Sequence, residues 1–282
     1  MRLVRVGATH TRGMDLGEEC IHGFEVEFCA TCSPAPTFEA PVVKKARPAS
    51  RPTSLRAPAP SRSAQPAVIV GDQRIYHITH IGNLAAIVER GSMLPDHAEQ
   101  HDEAVGVFSH DGRADREATR VPGRDSSVAD HVPFVLTPHA SVWESIRAGI
   151  EDPRLGDGAA GAAPAAFVIL ATTVKQAMDA GEPSGIVVTD GYAASALSRF
   201  ATTHEDAKRM LGSLLSNDDA DALQDAEVLV PESYPFAQIS LIGVANDKVR
   251  EQVRQILRGA SHPPRVAVYP PWFQPAGERY PV

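Results

Sequence analysis

The chain has 282 residues, of which 43% are hydrophobic and 22% charged, enough for one sizeable core with an additional segment. No apolar run reaches the roughly 20 residues that cross a bilayer, and residues 1–20 lack the apolar stretch of a signal peptide. We therefore expect a cytoplasmic protein. The net charge is −8, and residues 67–282, with 18 basic and 29 acidic residues, carry −11. This acidity argues against non-specific duplex DNA binding, which depends on phosphate neutralisation.

The first feature along the chain is a cluster that contains all three cysteines. Cys20, His22, Cys29 and Cys32 form a C-x-H-x₆-C-x₂-C array within 13 residues. Structural zinc takes four such donors, and a CxxC pair supplies two thiolates from one turn. We predict a small zinc knuckle in residues 1–33. The alternative is a surface segment with incidental cysteines, whereas the odd cysteine count argues against a disulfide.

Residues 34–66 differ in composition from the segments on either side. They include eight prolines, six basic residues and one acidic residue, with few large apolar side chains. Such a stretch cannot bury enough apolar surface to offset the entropy lost on ordering. We predict a disordered linker here, followed by one compact domain over residues 67–282.

In that domain, short apolar runs alternate irregularly with helical patterns. Strands are predicted at residues 74–79, 131–136, 166–172, 185–189, 226–230, 239–244 and 265–269. Helices are predicted at 83–90, 141–148, 190–199 and 247–257, and a flexible loop at 156–163. The order lacks the regular alternation of a doubly wound fold, so the α+β class is predicted. No GxGxxG or P-loop motif is present, so any nucleotide is held in another way.

Several polar residues are candidates for chemistry in this domain. His77 and Thr79 share one face of a predicted strand, although a strand histidine is more often a core residue. The segment 111–124 carries four arginines, including Arg116, and in isolation predicts a solvated loop or helix face. Glu227 opens an otherwise apolar strand, where burial can set the charge and orientation of a carboxylate. None of these names an activity alone.

Six segments of the domain, taken in order, resemble a known family. They are IYHITHIGNLAAIVERGSML, ADREATRVP, ADHVPFVLTPHASVWESIRAG, GIVVTDGYAASALSRF, DAEVLV and PPRVAVYPPWF. Between Ile75 and Phe273 the chain thus resembles the DarT-type DNA ADP-ribosyltransferases, the toxins of toxin–antitoxin pairs. The resemblance implies an α+β, ADP-ribosyltransferase-like split β-sheet with flanking helices. It also implies NAD⁺ as the substrate, a base of single-stranded DNA, thymine, as the acceptor, and an antitoxin of the ADP-ribosyl hydrolase type as a partner.

The resemblance assigns roles to individual residues. The family's HxT motif, which holds the nicotinamide and its ribose, falls on His77 and Thr79, and Asn83 lies in the same NAD⁺-binding stretch. A family arginine associated with NAD⁺ positioning and base activation falls on Arg116, and the catalytic glutamate falls on Glu227. Breaking the nicotinamide–ribose bond develops positive charge on the ribose, as in glycoside hydrolysis, and a fixed carboxylate can stabilise that charge.

The chain departs from the family pattern at the expected DNA-contacting surface. A second basic residue beside Arg116 is missing, and His131 stands where the family has tyrosine. Arg113, Arg120 and Arg124 are the expected contacts to the strand. The aromatic residues that remain as candidates for base stacking are Phe134, Trp143 and Tyr192.

Two alternatives stay open on the sequence. The first is an ADP-ribosyltransferase acting on RNA or protein, which the charge of −11 slightly favours. The second is a non-catalytic nucleic-acid-binding module with a decayed cleft. The complete set of His77, Thr79, Arg116 and Glu227 argues against the second, since decay tends to remove such residues.

Overall fold

The computed structural model describes residues 69–98, 105–217 and 220–275. The expected zinc ligands Cys20, His22, Cys29 and Cys32 lie outside these ranges, as do the expected domain boundaries. The strands are β1 Arg74–His80, β2 Ser92–Met93, β3 His131–Val135, β4 Phe167–Thr173, β5 Val187–Thr189, β6 Phe200–Ala201, β7 Glu227–Pro231, β8 Tyr234–Pro235, β9 Leu241–Val244 and β10 Arg265–Val268. The helices are α1 Leu84–Arg90, α2 His110–Ala118, α3 Ser141–Ala148, α4 Asp157–Ala160, α5 Val174–Ala180, α6 His204–Leu215 and α7 Asp247–Ile256.

Eight of the strands form one mixed sheet. Their order is β10-β9-β4-β1-β3-β7-β5-β6, while β2 and β8 form a separate two-stranded ladder. The β9–β10 pair is parallel and the other neighbours run antiparallel. The predicted mixture of helices around a sheet is confirmed. Within the described residues, no helix has both the length and the apolarity to span a membrane.

Strand β4 lies near the centre of the core because both of its faces are covered. Val168 and Leu170 pack with residues of α1, α6 and α7 on one face, in the larger hydrophobic cluster. Phe167 and Ile169 pack on the other face against α3 and the segment around Trp272. The apolar run of this strand therefore reads continuously in the sequence, as expected for a strand buried on both sides.

The sheet is weakest between β1 and β3. These strands are paired in register at a single position, Tyr76 with Val135, whereas β1 and β4 are in register along all seven residues of β1. Pro133 contributes to this weakness because proline has no N–H to donate to a ladder. The predicted split sheet thus takes the form of one continuous sheet with a seam between β1 and β3.

The ring of Trp272 packs against the backbone of β9 and covers one face of the sheet. A Cβ atom on Gly243 of β9 would lie 2.6 Å from the Trp272 ring, so only glycine allows the ring to pack there. Trp272 also accepts a hydrogen bond of 2.6 Å from Trp143 Nε1 through its carbonyl oxygen. Its ring packs edge-on against Tyr76 of β1, with centroids 5.4 Å apart.

Two sequence predictions of local structure are wrong. Residues 190–199 form a loop, because Asp190 accepts hydrogen bonds from Arg199 N at 2.7 Å and Nε at 2.6 Å instead of capping a helix. Part of the predicted loop at 156–163 is helix α4. Helix α6, which was not predicted, begins after Thr203, whose side chain accepts from Asp206 N at 3.2 Å.

Candidate active site

An open cleft lies at the seam of the sheet. It encloses about 760 Å³, part of it open to solvent, and the residues that line it come from β1, β3, β7 and neighbouring loops. Pairing in the sheet places Tyr76 beside Val135, Val135 beside Glu227, and Glu227 beside Thr189. These four residues therefore form one row across four strands on one face. Glu227, at the start of β7, lies at the point where this row meets the cleft.

Glu227 and Arg116 form a buried ion pair. The side chain of Arg116 is 1% exposed and that of Glu227 is 6% exposed. Arg116 Nη1 donates to both carboxylate oxygens of Glu227, at 3.2 Å to Oε1 and 3.0 Å to Oε2. Oε1 also accepts from the backbone N–H of Ala193 at 2.9 Å. The carboxylate is therefore fixed in orientation by a guanidinium and a backbone donor.

The position of Arg116 follows from helix α2. The helix begins after Ser109, whose hydroxyl accepts from Gly112 N at 3.0 Å, and its inner face carries Gly112 and Arg116. Arg116 Cζ lies 4.9 Å from the centroid of the Phe108 ring, so an aromatic face covers the guanidinium. Burial is the largest influence on the pKa of Arg116 and lowers it, but the charge of Glu227 and its hydrogen bond, together with the charges of Asp96 and Tyr192, outweigh burial and the pKa is raised. The guanidinium is therefore charged.

His77 reaches across the seam. Its Nδ1 is 2.8 Å from the carbonyl oxygen of Pro133, which only accepts, so Nδ1 carries the proton. In the neutral ring, Nε2 is then an acceptor. His77 lines the cleft together with Glu227. The structure therefore brings two of the residues singled out in the sequence into one site.

Thr79 and Asn83 lie behind the cleft surface. Both are buried, at 0% and 2% exposure. Asn83 Nδ2 donates to Thr79 Oγ1 at 3.0 Å and to the carbonyl of Val105 at 2.8 Å, while its Oδ1 accepts from Val105 N at 3.1 Å. Asn83 therefore ties the segment that leads to Val107 and Phe108, both of which line the cleft, to strand β1.

Other polar and aromatic candidates have structural roles. Phe134 and Trp143 are 0% exposed, so the prediction that they stack on bases is wrong. The guanidinium of Arg124 donates to the backbone carbonyls of Gly185, Ile186 and Thr202. It thereby joins the start of β5 to the turn before α6, which does not fit its expected role as a DNA contact.

Arg154 is a cleft residue that the sequence reasoning missed. It lines the cleft with Tyr192 and forms ion pairs with Asp152 and Asp225. The only sequence signal is the alternation of charge in Asp152-Pro153-Arg154, which is common in surface turns. Its partners Asp225 and Tyr192 come from distant parts of the chain and carry no recognisable spacing.

The described residues contain no group of three or more His, Cys, Asp or Glu side chains arranged to hold a metal ion.

The family comparison agrees with this geometry. A family model described as "ssDNA thymidine ADP-ribosyltransferase, DarT" matches residues 76–274, well over half of the chain. The chain belongs to the DarT family. The resemblance seen in the sequence is confirmed, and with it the enzyme class of a DNA ADP-ribosyltransferase.

Individual DarT relatives match over the same region. A DNA ADP-ribosyl transferase from Thermus sp. (strain 2.9) is 27% identical over 208 residues, covering 71% of this chain and 95% of that protein. The structure of Thermus sp. 2.9 DarT in complex with ADP-ribosylated ssDNA has a TM-score of 0.59 and 25% identity, covering 71% of this chain and 96% of that one. Its complex with NAD⁺ has a TM-score of 0.55 and 25% identity, with 71% and 97% covered.

Proposed function

We propose that this DarT-family enzyme transfers the ADP-ribosyl group of NAD⁺ to a thymine base in single-stranded DNA, using Glu227 as its catalytic carboxylate. The observation that carries the residue assignment is the buried Glu227–Arg116 pair, of which Glu227 lines the cleft. The family match and the NAD⁺ and ADP-ribosylated ssDNA complexes of the Thermus relative support the substrates. The reaction breaks the bond between nicotinamide and C1′ of its ribose and forms a bond from C1′ to a base nitrogen, which loses its proton.

The fixed orientation of the Glu227 carboxylate supports this role. Positive charge develops on the ribose as nicotinamide leaves with the bonding electron pair, and a fixed carboxylate stabilises that charge without reorganising. The bonds from Arg116 and from the Ala193 N–H hold the carboxylate before substrate binds. Hydrogen bonds to a ribose hydroxyl would add positioning, which converts the attack into an effectively unimolecular step.

Arg116 supports Glu227 in this proposal. The sequence resemblance assigned it to NAD⁺ positioning and activation of the base. A grip on the pyrophosphate would require the side chain to leave Glu227 and a site where it is 1% exposed. Its two bonds instead hold the Glu227 carboxylate in a fixed orientation at the cleft.

His77, Thr79 and Asn83 form the NAD⁺-binding side of the proposed site. His77 touches the cleft directly and is the residue that would contact the nicotinamide ribose. Thr79 and Asn83 act indirectly: Asn83 bonds to both backbone groups of Val105 and to the Thr79 hydroxyl, and so holds the Val105 segment against the end of β1.

A direct assay tests the function. The full-length protein is incubated with NAD⁺ and single-stranded oligonucleotides that differ by one thymine, and the product mass is read. We expect one added ADP-ribosyl group on thymine-containing strands and none on thymine-free strands. Modification of all strands alike would contradict the base assignment, and no modification of any strand would contradict the function.

RNA or protein as the acceptor is the second candidate. The observation that bears on it is the net charge of −11 over residues 67–282, which repels any polyanion, RNA included, and therefore favours a protein acceptor. The same assay with an RNA oligonucleotide and with denatured cell protein separates the two candidates, because transfer to only one class of acceptor is expected.

The proposal includes a toxic role in the cytoplasm and a partner that reverses it. Modified thymine would block replication, so expression should stop growth unless an ADP-ribosyl hydrolase antitoxin is present. Growth curves of cells that express the wild type or Glu227→Gln test this, and equal growth of both would contradict the toxin role.

Structural zinc at Cys20, His22, Cys29 and Cys32 remains a prediction, as does the division into residues 1–33, 34–66 and 67–282. We expect one zinc ion per chain by elemental analysis and its loss when Cys29 and Cys32 are changed to serine. A chain that starts near residue 66 should keep its fold. A zinc-free purified protein would contradict the knuckle.

A further inference from the structure

The guanidinium of Arg154 has an acceptor at each of its three nitrogens. Nε is 2.9 Å from Asp152 Oδ1 and Nη2 is 2.7 Å from Oδ2, a bidentate pair. Nη1 is 3.1 Å from Asp225 Oδ1, and Nη2 is 2.9 Å from Ser141 Oγ, which itself donates to Asp225. Asp225 is two residues before Glu227. The bonds therefore join the loop after α3, the start of α3 and the approach to β7.

Arg154 also packs on the ring of Tyr192. Its Cζ is 5.4 Å from the ring centroid, and the Cζ of Arg116 is 5.8 Å from the same centroid. Tyr192 directly precedes Ala193, whose N–H bonds to Glu227. Arg154 thus contacts both chain segments that adjoin Glu227, one through Asp225 and one through Tyr192.

The charges around Arg154 argue against a role as a phosphate ligand. Two carboxylates, Asp152 and Asp225, already neutralise the single positive charge. The Asp152 side chain is 7% exposed and that of Arg154 is 23% exposed, so the bidentate pair is largely shielded from solvent. An arginine that binds phosphate needs a free fork, and here the fork is occupied.

We propose that Arg154 is a positioning residue for the transfer reaction, a brace that fixes the Tyr192–Ala193 backbone and the approach to β7 so that Glu227 keeps its orientation. The inference rests on the proposed function, because it concerns the step assigned to Glu227. We expect the loss of Arg154 to lower turnover and to leave substrate affinity unchanged. Arg154 does not contact the His77 side of the cleft, and its occupied guanidinium does not bind a substrate phosphate.

Arg154→Lys and Arg154→Ala test the brace against a ligand role. Lysine keeps the charge but loses the planar fork and the ring contact. The brace predicts that both variants lower kcat by about tenfold or more, while KM for NAD⁺ and the salt dependence of DNA binding stay as in the wild type. A phosphate ligand predicts near-normal activity for lysine and a salt slope reduced by about one in alanine. Arg209→Lys and Arg209→Ala, at an exposed pair on α6, serve as controls.

A double-mutant cycle separates positioning from loss of fold. Thermal midpoints are measured first, and all assays are run well below the lowest midpoint. If Arg154 acts through Tyr192, the kcat loss of Arg154→Ala combined with Tyr192→Leu will be no larger than that of the worse single variant. Multiplicative losses would overturn the brace. If the wild type transfers ADP-ribose and Arg154→Lys has a normal kcat, the brace is refuted and the proposed function stands. If the wild type neither transfers ADP-ribose nor hydrolyses NAD⁺, both the proposed function and the brace are refuted.

Discussion

On the β1 side of the cleft the polar groups depend on backbone atoms, whereas on the β7 side they depend on one another. His77 bonds to the carbonyl of Pro133, and Asn83 bonds to both backbone groups of Val105. Glu227 instead takes two of its bonds from Arg116, which is itself buried. Backbone partners survive a side-chain substitution, but a buried charge loses its compensation when its partner is removed. We therefore expect graded effects on NAD⁺ binding from the first side and abrupt losses of turnover from the second.

The largest effect is expected when the charge at Glu227 is removed, and this change tests the proposed difference between the two sides most directly. Glu227→Gln keeps the shape of the side chain, so NAD⁺ affinity should remain close to that of the wild type. Turnover should fall by about a hundredfold or more, because the lost contact acts mainly in the transition state. Single-turnover kinetics and NAD⁺ titration measure the two quantities. Glu251→Gln, exposed on α7, is the control, and wild-type turnover in Glu227→Gln would refute the site assignment.

The next largest effect is expected at Arg116. Arg116→Ala leaves the Glu227 carboxylate buried without a cation, which should cost roughly 3–5 kcal/mol of unfolding free energy. Arg116→Lys keeps the charge and should retain more stability, but its geometry no longer holds the carboxylate, so turnover should fall by about tenfold or more. Urea denaturation and kcat report these changes. A fully stable Arg116→Ala would mean that water already compensates Glu227.

A smaller and different effect is expected on the β1 side. His77→Ala should raise KM for NAD⁺ by about tenfold, with little change in the unfolding free energy, because its partner is a backbone carbonyl near the cleft surface. His262→Ala, an exposed histidine, is the control. If His77→Ala lowers kcat with an unchanged KM, the β1 side does not act mainly in NAD⁺ binding and the comparison of the two sides is wrong.

The smallest effect concerns pH and His131, a buried histidine at the start of β3. Burial is the largest influence on its pKa and lowers it, and the charges of Arg124 and Arg116 lower it further. The bond to the Ser127 carbonyl and the charge of Asp130 raise the pKa, but by less. Its folded-state pKa therefore lies below the ordinary value of 6.5. As the pH falls below that value, His131 binds a proton in the unfolded chain but remains neutral in the folded chain. Stability then declines, by at most about 1.4 kcal/mol per pH unit.

His131→Asn isolates this contribution, because asparagine offers a donor for the Ser127 carbonyl and does not titrate. We expect the loss of unfolding free energy between pH 7.5 and 5.5 to be smaller in this variant than in the wild type. His262→Asn should leave the loss unchanged. An identical pH dependence in the wild type and His131→Asn would show that other groups carry it.

Elements with a clear local pattern were predictable from the sequence. The seven-residue strand β1, helix α3 with its end at Gly149, and the buried strand β4 follow from apolar periodicity and a terminal glycine. His77 and Glu227 were found because the sequence resembles a family with known roles at those positions. The structure adds that both line one cleft.

The rest depended on contacts between distant residues. The pair of Arg116 and Glu227 joins positions 111 residues apart, and a polar helix face in the sequence does not indicate that one of its arginines is fully buried. The loop at 190–199 was mistaken for a helix because its alanines and serines fit either structure, and the closing bonds of Asp190 are specific to the fold. Trp143 was mistaken for a stacking residue because its partner Trp272 lies far along the chain.

The packing of Trp272 over Gly243 has a consequence for when the enzyme becomes active during synthesis. Tyr76, a residue of the cleft, is covered by Trp272, which is made almost two hundred residues later. At about 5–20 residues per second, that delay is about 10–40 s. Until the ribosome has released the segment around Trp272, β1 lacks the ring that covers one of its faces. A nascent chain would therefore already carry His77, Arg116 and Glu227 while the cleft is still incomplete.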